Sequence, residues 1–208
     1  MTKWGETMKN NDIKIISADA DKIEINRNEL AARLGVDRDF THSTVDECKE
    51  KLLKEIQYKC AYIRTPVDLS ENNVCDFGFM KIPSKNLYKN LNGCKEAFVM
   101  AVTTGVKVDR LLARLNVTSQ AEHFITDALS SAAVESFCDY VSDIMKSGLV
   151  CAPRFSPGYG DVDIHFQKPL LDRLNADKLL GIMLNSSYLM TPVKSITAIM
   201  GIRNEKDN

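Results

Sequence analysis

The chain has 208 residues, of which 44% are hydrophobic and 26% are charged, and its formal net charge is −1. This composition is typical of a folded domain with a substantial core, and the near-neutral charge argues against nucleic acid or an anionic membrane as a partner. Because the sequence has neither an apolar run of membrane-spanning length nor a signal-peptide pattern at the N-terminus, we expect a cytoplasmic protein.

Hydrophobic periodicity and helix end signals predict the elements. Residues 1–12 are polar and predicted to be flexible, and one domain is predicted over 13–208. In chain order the predicted elements are strands at 13–16 and 22–25, a helix at 28–34, a helix from 44 to about 60, strands at 61–67 and 74–82, a short helix at 84–91, a strand at 95–103, helices at 106–115, 119–146 and 168–180, and one or two strands between 182 and 202. Strands and helices are interspersed without a βαβ rhythm, so we predict an α+β fold.

The cysteines and histidines indicate no local metal motif. The six cysteines include no CxxC pair, and we expect them to be reduced and mostly buried. Asp161, Asp163 and His165 alternate along a short segment, but this spacing matches no motif of known metal chemistry. We therefore expect no metal site.

The segment from Arg154 to Tyr159 carries the most specific local signal. Pro157 and Gly158 follow Ser156 and occupy the central positions of a predicted type II β-turn. Such a turn would hold a guanidinium that can bind a carboxylate near a phenol ring that can face a cation. These groups suit a small zwitterionic ligand, although a solvated or acid-paired Arg154 explains the same residues without one.

Two further features are open to a functional and a structural interpretation. Glu135 lies among small residues on the longest predicted helix, so its carboxylate could face either a cavity or solvent. The turn at 103–105 could bind an anion at a helix N-terminus, although a connecting turn with a capping hydroxyl is the simpler interpretation. No nucleophile motif is present, which argues against a self-contained hydrolase or oxidoreductase.

Four segments together resemble the activation domain of cobalamin-dependent methionine synthase, and its free-standing short relatives in particular. The segment Arg154–Tyr159 matches that family's Arg-x-x-x-Gly-Tyr motif, and the other three segments are 101–109, 134–140 and 181–195. The resemblance extends over about residues 20 to 202. Directly after Tyr159 the fused domains continue with Pro-Ala-Cys-Pro, whereas this chain continues with Gly-Asp-Val-Asp.

The resemblance implies a single curved domain in which helices flank a twisted antiparallel sheet. It also implies binding of S-adenosylmethionine, with cobalamin (vitamin B12) carried by a partner, the cobalamin-binding module of methionine synthase. In that family inactive cob(II)alamin is reduced by a flavodoxin-like donor, and the sulfonium methyl group then passes to cobalt. Because cobalt is the nucleophile, the domain only has to position the methyl donor.

The resemblance also assigns roles to residues of the matching motifs. Arg154 would bind the methionyl carboxylate, Tyr159 would border the ligand or the cobalamin, and Gly158 would permit close approach of the backbone. Ser156 and Pro157 complete this ligand-binding motif. On the helix, Glu135 would accept a hydrogen bond from the ligand. No catalytic residue and no metal ligand are implied in this chain.

The function predicted on this basis is a free-standing activation subunit that supports reductive remethylation of cob(II)alamin in trans. It would be a component of a methyltransferase activity in methionine biosynthesis, and not a catalyst alone. A free-standing subunit lacks the high effective concentration of a tethered domain and therefore needs a docking surface. Two alternatives remain open: an interaction protein that docks on a corrinoid module without binding the methyl donor, and an activator of another corrinoid methyltransferase.

Overall fold

The computed structural model describes residues 13–203, so the predicted flexible segment 1–12 lies outside the described residues, as do residues 204–208. Strands and helices are interspersed along the chain, as the sequence predicts. The elements are β1 (Lys14–Ala18), α1 (Arg27–Leu34), α2 (Ser43–Leu53), β2 (Tyr58–Pro66), β3 (Asp68–Ser70), β4 (Val74–Asp76), β5 (Lys81–Pro83), α3 (Lys85–Asn90), β6 (Cys94–Thr103), α4 (Val106–Thr118), α5 (Gln120–Lys146), β7 (Val150–Cys151), α6 (Gln167–Arg173), α7 (Ala176–Leu180), β8 (Met183–Leu184), β9 (Met190–Thr191) and β10 (Ser195–Arg203).

A five-stranded antiparallel sheet in the order β1-β2-β6-β10-β7 forms the middle layer. Val99 marks its centre, where it lies opposite Ile63 on β2 and Ile199 on β10. Alternation along β6 directs Met100 to one core and Val99 to the other, and both residues are fully buried. The prediction of a strand buried on both faces is therefore confirmed.

Each face of the sheet is covered by helices. Helices α2, α4 and α5 pack Leu52, Leu111 and Leu129 against one face. Helices α3 and α6 pack Leu87 and Leu170 against the other face, together with the small β3-β4-β5 sheet. Each such fully buried Leu stabilises the fold by about 1.5–3 kcal/mol. Within residues 13–203, no helix has the length and hydropathy needed to cross a membrane.

Local end signals set several helix boundaries as predicted. Gly35 ends α1 with a left-handed φ of 68°. The hydroxyl of Ser84 accepts a hydrogen bond from the N–H of Leu87 at 2.9 Å, and the hydroxyl of Ser119 accepts one from Glu122 at 3.3 Å. These two hydroxyls provide the N-caps of α3 and α5.

Two predictions in the N-terminal half are wrong. Helix α2 begins at Ser43, where His42 Nδ1 accepts the capping hydrogen bond from the N–H of Thr44, and it ends at Leu53 and not near residue 60. Cys60 fits the helical spacing of α2, but it lies in β2. The predicted strand at 22–25 is an irregular segment whose Ile23 and Ile25 are nevertheless buried, because their alternation suits any extended chain lying on the core.

Three further elements are interrupted by turns. The predicted strand at 74–82 is a hairpin of β4 and β5, because the N–H of Phe77 bonds to the carbonyl of Met80 at 2.9 Å and closes a turn. The predicted helix at 168–180 breaks at Asn175, whose φ of 50° is incompatible with a continuous helix. After Gly181, the closing segment forms three strands, β8, β9 and β10, instead of one or two.

Candidate functional site

A cleft of about 440 Å³ lies at the edge of the main sheet. Strand β10 pairs with β6 along one side over its whole length. On its other side, pairing among the described residues begins at Ile199, which bridges to Phe155, and continues with β7. The cleft opens where this first part of β10 has no neighbouring strand. Five of the six predicted site residues line it, namely Glu135, Arg154, Ser156, Pro157 and Tyr159.

The predicted type II turn is present. The N–H of Tyr159 donates to the carbonyl of Ser156 at 3.2 Å, and Gly158 has a φ of 90°. Phe155 exchanges two backbone hydrogen bonds of 2.8 Å with Ile199, which ties the start of the turn to β10. Gly158 itself does not line the cleft. A Cβ at Gly158 would lie 3.7 Å from the Ile164 side chain, so the left-handed φ requires glycine there, and crowding does not.

Arg154 lies across one face of α5. Its Nη1 donates to Asp139 Oδ1 at 2.7 Å and to Ser142 Oγ at 3.1 Å, and its Nη2 lies 3.5 Å from Glu135 Oε2. The three partners recur at helical spacing on the small-residue face that the sequence indicated. Arg154 is thus paired with acids and also borders the cleft, so its two sequence interpretations are compatible.

Glu135 is the half-buried carboxylate of the cleft. Burial raises its pKa, and the nearby Arg154 guanidinium offsets that effect only in part. The 3.5 Å separation explains this incomplete compensation, because it lies at the outer limit of a hydrogen bond. The neighbouring Cys138 is fully buried, and burial raises the pKa of its thiol to about 12. Glu135 therefore faces the cleft as a carboxylate that an added cation or hydrogen-bond donor would stabilise.

Two polar residues of the cleft were missed by sequence reasoning. The hydroxyl of buried Thr197 donates to Gln167 Oε1 at 3.3 Å, and Gln167 Nε2 donates to the carbonyl of Tyr188 at 3.0 Å. The N–H and the carbonyl of Ile199 both point toward Phe155. Backbone groups two residues apart in a strand point to the same side, so the N–H and the carbonyl of Thr197 also point to this side, where no strand pairs with them. No local motif surrounds Gln167 or Thr197, so only the folded structure brings them to this edge.

Comparison with solved structures identifies a related fold. The crystal structure of the MetH reactivation domain bound to AdoHcy matches with a TM-score of 0.69 and 13% sequence identity, covering 94% of this chain and 80% of that chain. The chain has the fold of the MetH reactivation domain. The predicted α+β architecture, with helices flanking a curved antiparallel sheet, is confirmed. No protein-family model matches the sequence, and the search of curated proteins found no match.

The residues directly after Tyr159, where this chain differs from the fused domains, act as hydrogen-bond acceptors at helix N-termini. Asp161 accepts hydrogen bonds from the Ser84 hydroxyl and from the Lys85 N–H, so it helps to cap α3. Asp163 accepts from the N–H of His165 at 2.9 Å and caps a short 3₁₀ turn. Among the described residues, no group of three or more His, Cys, Asp or Glu side chains could hold a metal ion.

The turn at 103–105 connects β6 to α4. The N–H of Gly105 donates to the hydroxyl of Thr103 at 3.1 Å, and all three residues of the turn are buried. This arrangement agrees with the connecting-turn interpretation, because the hydroxyl satisfies a backbone donor that an anion would otherwise use.

The segment between β9 and β10 is held by charged groups that the sequence did not single out. Lys194 Nζ lies 2.7 Å from Asp127 Oδ1 and donates to Ser131 Oγ at 2.8 Å. The carboxylate of Asp109 accepts from the N–H of Val193 at 2.9 Å. Helices α4 and α5 thus fix the chain just before Ser195, which lines the cleft.

Proposed function

We propose that this chain is an activation subunit that binds S-adenosylmethionine in the cleft beside Arg154 and supports reductive methylation of a cobalamin held by a partner. The observation that carries the proposal is the convergence of Arg154, Glu135 and the Ser156–Tyr159 turn on one cleft of a fold shared with a domain described as bound to AdoHcy. AdoHcy lacks only the transferable methyl group of S-adenosylmethionine.

The chemistry of the cleft suits each part of this ligand. Arg154 supplies a guanidinium for a carboxylate, and Glu135 supplies a carboxylate for an ammonium or hydroxyl group. Phe155 and Tyr159 provide aromatic surface for the adenosyl portion or for the sulfonium cation. The cleft volume of about 440 Å³ lies in the range of small-molecule sites.

The role of this chain in the transfer is to bind and to orient. Cobalamin on the partner supplies the cobalt nucleophile, so no residue here needs to act as an acid or a base. Arg154 and Glu135 would hold the amino-acid end of the ligand against α5. Tyr159 is 71% exposed at the rim, where it would face the docked corrinoid. The partners in this proposal are a corrinoid module and a flavodoxin-like electron donor, and the proposed location is the cytoplasm.

Calorimetric titration with S-adenosylmethionine tests this proposal. The wild-type chain should bind, and Arg154→Ala should weaken binding by about 10-fold or more, because a charge-assisted bidentate contact is lost. Arg64→Ala is the matched control, since Arg64 pairs with Glu96 on the strand surface outside the cleft and should leave affinity unchanged. A folded chain that gives no heat at millimolar ligand would overturn the methyl-donor role.

A second candidate function is docking on a corrinoid module without the methyl donor. The observation in its favour is that Arg154 already pairs with Asp139 at 2.7 Å, so the arginine has a structural partner within the chain. This function predicts no binding of S-adenosylmethionine and unchanged association with a corrinoid module in Arg154→Ala. Loss of corrinoid-dependent methylation in that variant, with association intact, supports the first function instead.

A further inference from the structure

We propose that Asp139 and Ser142 are positioning residues that hold Arg154 by one end of its guanidinium and leave its other edge free for a ligand carboxylate. This inference rests on the proposed function. Neither Asp139 nor Ser142 lines the cleft, so both would act on the ligand only through Arg154.

The Nη1 end of the guanidinium is fully used. Its two N–H groups meet Asp139 Oδ1 at 2.7 Å and Ser142 Oγ at 3.1 Å. The Ser142 hydroxyl donates its own hydrogen to the carbonyl of Cys138 at 2.6 Å, so its oxygen is left to accept from Arg154. The direction of every bond at this end is therefore fixed by the helix.

The opposite edge of the guanidinium is available. Within residues 13–203, Arg154 Nε makes no hydrogen bond, and Nη2 makes only the 3.5 Å contact with Glu135. Nε–H and Nη2–H point in parallel and form the fork that binds both oxygens of a carboxylate. A ligand carboxylate can thus bind without displacing Asp139 or Ser142.

Anchoring matters because a free arginine side chain loses much rotamer freedom when it binds. The Arg154 side chain is only 25% exposed, whereas Asp139 is 62% exposed and well solvated. A solvated carboxylate adds little stability through its charge alone. The contribution of Asp139 is therefore to fix the orientation of Arg154 before the ligand arrives.

The opposite possibility is that Asp139 competes with the ligand for Arg154. The two readings predict effects of opposite sign when Asp139 is removed. Positioning predicts weaker binding of the carboxylate in Asp139→Ala, whereas competition predicts tighter binding. A purely structural role predicts that all ligands weaken together.

The experiment compares S-adenosylmethionine with decarboxylated S-adenosylmethionine, which has the same sulfonium, ribose and adenine but no carboxylate. The ratio of the two dissociation constants, measured by calorimetry, reports the carboxylate contact. In the wild-type chain the ratio should be about 10 or more, and Arg154→Ala should reduce it to about 1. In Asp139→Ala the ratio should fall about threefold or more, with the affinity for the decarboxylated ligand unchanged.

Further variants make the test specific. Ser142→Ala should lower the ratio less than Asp139→Ala, and Asp139→Asn should retain most of it, because the amide oxygen still accepts from Nη1. Asp143→Ala is the matched control, an exposed acid on the same helix that pairs with Lys146. Thermal unfolding of each variant verifies that the fold is intact.

Each outcome decides the inference. An unchanged ratio in both Asp139→Ala and Ser142→Ala, or tighter binding of S-adenosylmethionine in Asp139→Ala, overturns the positioning role while the proposed function stands. A wild-type chain that binds neither ligand overturns the proposed function, and the inference with it.

Discussion

The carboxylate of Asp161 accepts a hydrogen bond from the hydroxyl of Ser84, although 77 residues separate them in the chain. Asp161 also accepts from the N–H of Lys85 at 2.8 Å, while the Ser84 hydroxyl accepts from Leu87. Two side chains thus satisfy N–H groups that the first turn of α3 leaves without helical partners. This cap connects the loop that carries Tyr159 to the N-terminus of α3.

Asp161→Ala should lower the thermal unfolding temperature and weaken binding of S-adenosylmethionine. The Ser84 hydroxyl, followed by backbone N–H groups of α3, holds the pKa of Asp161 below its usual range. The stabilisation is therefore present above the ordinary aspartate pKa of about 3.9 and is lost as pH falls through the lowered value.

Melting curves of wild type and Asp161→Ala from neutral to acid pH check this sign. The difference in unfolding temperature should be constant near neutrality and should shrink below about pH 4. Asp172→Ala is the control, because Asp172 is 64% exposed and pairs with Lys168 on its own helix. A difference that grows on acidification would contradict the cap.

The turn at Pro157 and Gly158 was predictable from the sequence, whereas the cap that Asp161 provides to α3 was not. Pro157 and Gly158 specify a turn through their own backbone preferences, so the turn could be predicted from a few adjacent residues. The hydrogen bond between Asp161 and Ser84 depends on the path of the chain in between. Cys60 shows the converse error, because its spacing continues the pattern of α2 although the helix has already ended. Periodicity describes a face and does not locate the end of an element.

The residues of the cleft were predictable from the sequence only in part. The resemblance brought Arg154 and Glu135 to one site, and both line the cleft. Helical spacing alone places Asp139 and Ser142 on the face of α5 that carries Glu135, although it does not show that they bind Arg154. Gln167 and Thr197 could not be predicted, because their proximity depends on how α6 packs against the open edge of β10.

Glu135→Gln should raise stability at neutral pH. Burial, with smaller contributions from Glu29 and Asp139, raises the pKa of Glu135 even though Arg154 and Arg33 act in the opposite direction. The folded state therefore resists ionisation of this carboxyl more than the unfolded state does. As pH rises through the raised pKa, the wild type loses stability that the neutral glutamine retains.

The expected measurement is an unfolding temperature of Glu135→Gln above that of wild type at pH 7, with the gain disappearing below about pH 4. Glu96→Gln serves as the control, since Glu96 pairs with Arg64 on the strand surface and should show no gain. A lower unfolding temperature of Glu135→Gln at pH 7 would mean that the contact with Arg154 outweighs burial.

Gly158→Ala should destabilise the protein by about 1–2 kcal/mol, because the φ of 90° is costly for any residue with a Cβ. The added methyl group would lie 3.7 Å from Ile164, so strain and not a clash is the cause. Urea unfolding measures the loss. Pro157→Ala keeps an accessible backbone conformation and should cost only about 0.4–1 kcal/mol. Equal stability of Gly158→Ala and wild type would contradict the left-handed turn.

Lys194→Met should both destabilise the fold and weaken ligand binding. The side chain of Lys194 is only 10% exposed, and its ammonium meets Asp127 at 2.7 Å and Ser131 at 2.8 Å. Loss of hydrogen bonds to a charged group costs about 1.5–3 kcal/mol, and Asp127, which is 47% exposed, can be hydrated afterwards. The affinity for S-adenosylmethionine should fall as well, because Ser195 follows directly in the cleft wall.

A double-mutant cycle of Lys194→Met and Asp127→Asn isolates the contact between them. The two changes should be non-additive by more than about 0.5 kcal/mol in urea unfolding, since the second removes a partner that is already lost. Lys168→Met is the matched control, a lysine that is 60% exposed and should leave both stability and affinity unchanged. Additive effects would contradict the ion pair and would show that Lys194 acts through packing of its aliphatic stem. In that case Lys194→Met would retain the affinity for S-adenosylmethionine, and Lys194→Ala would lose it.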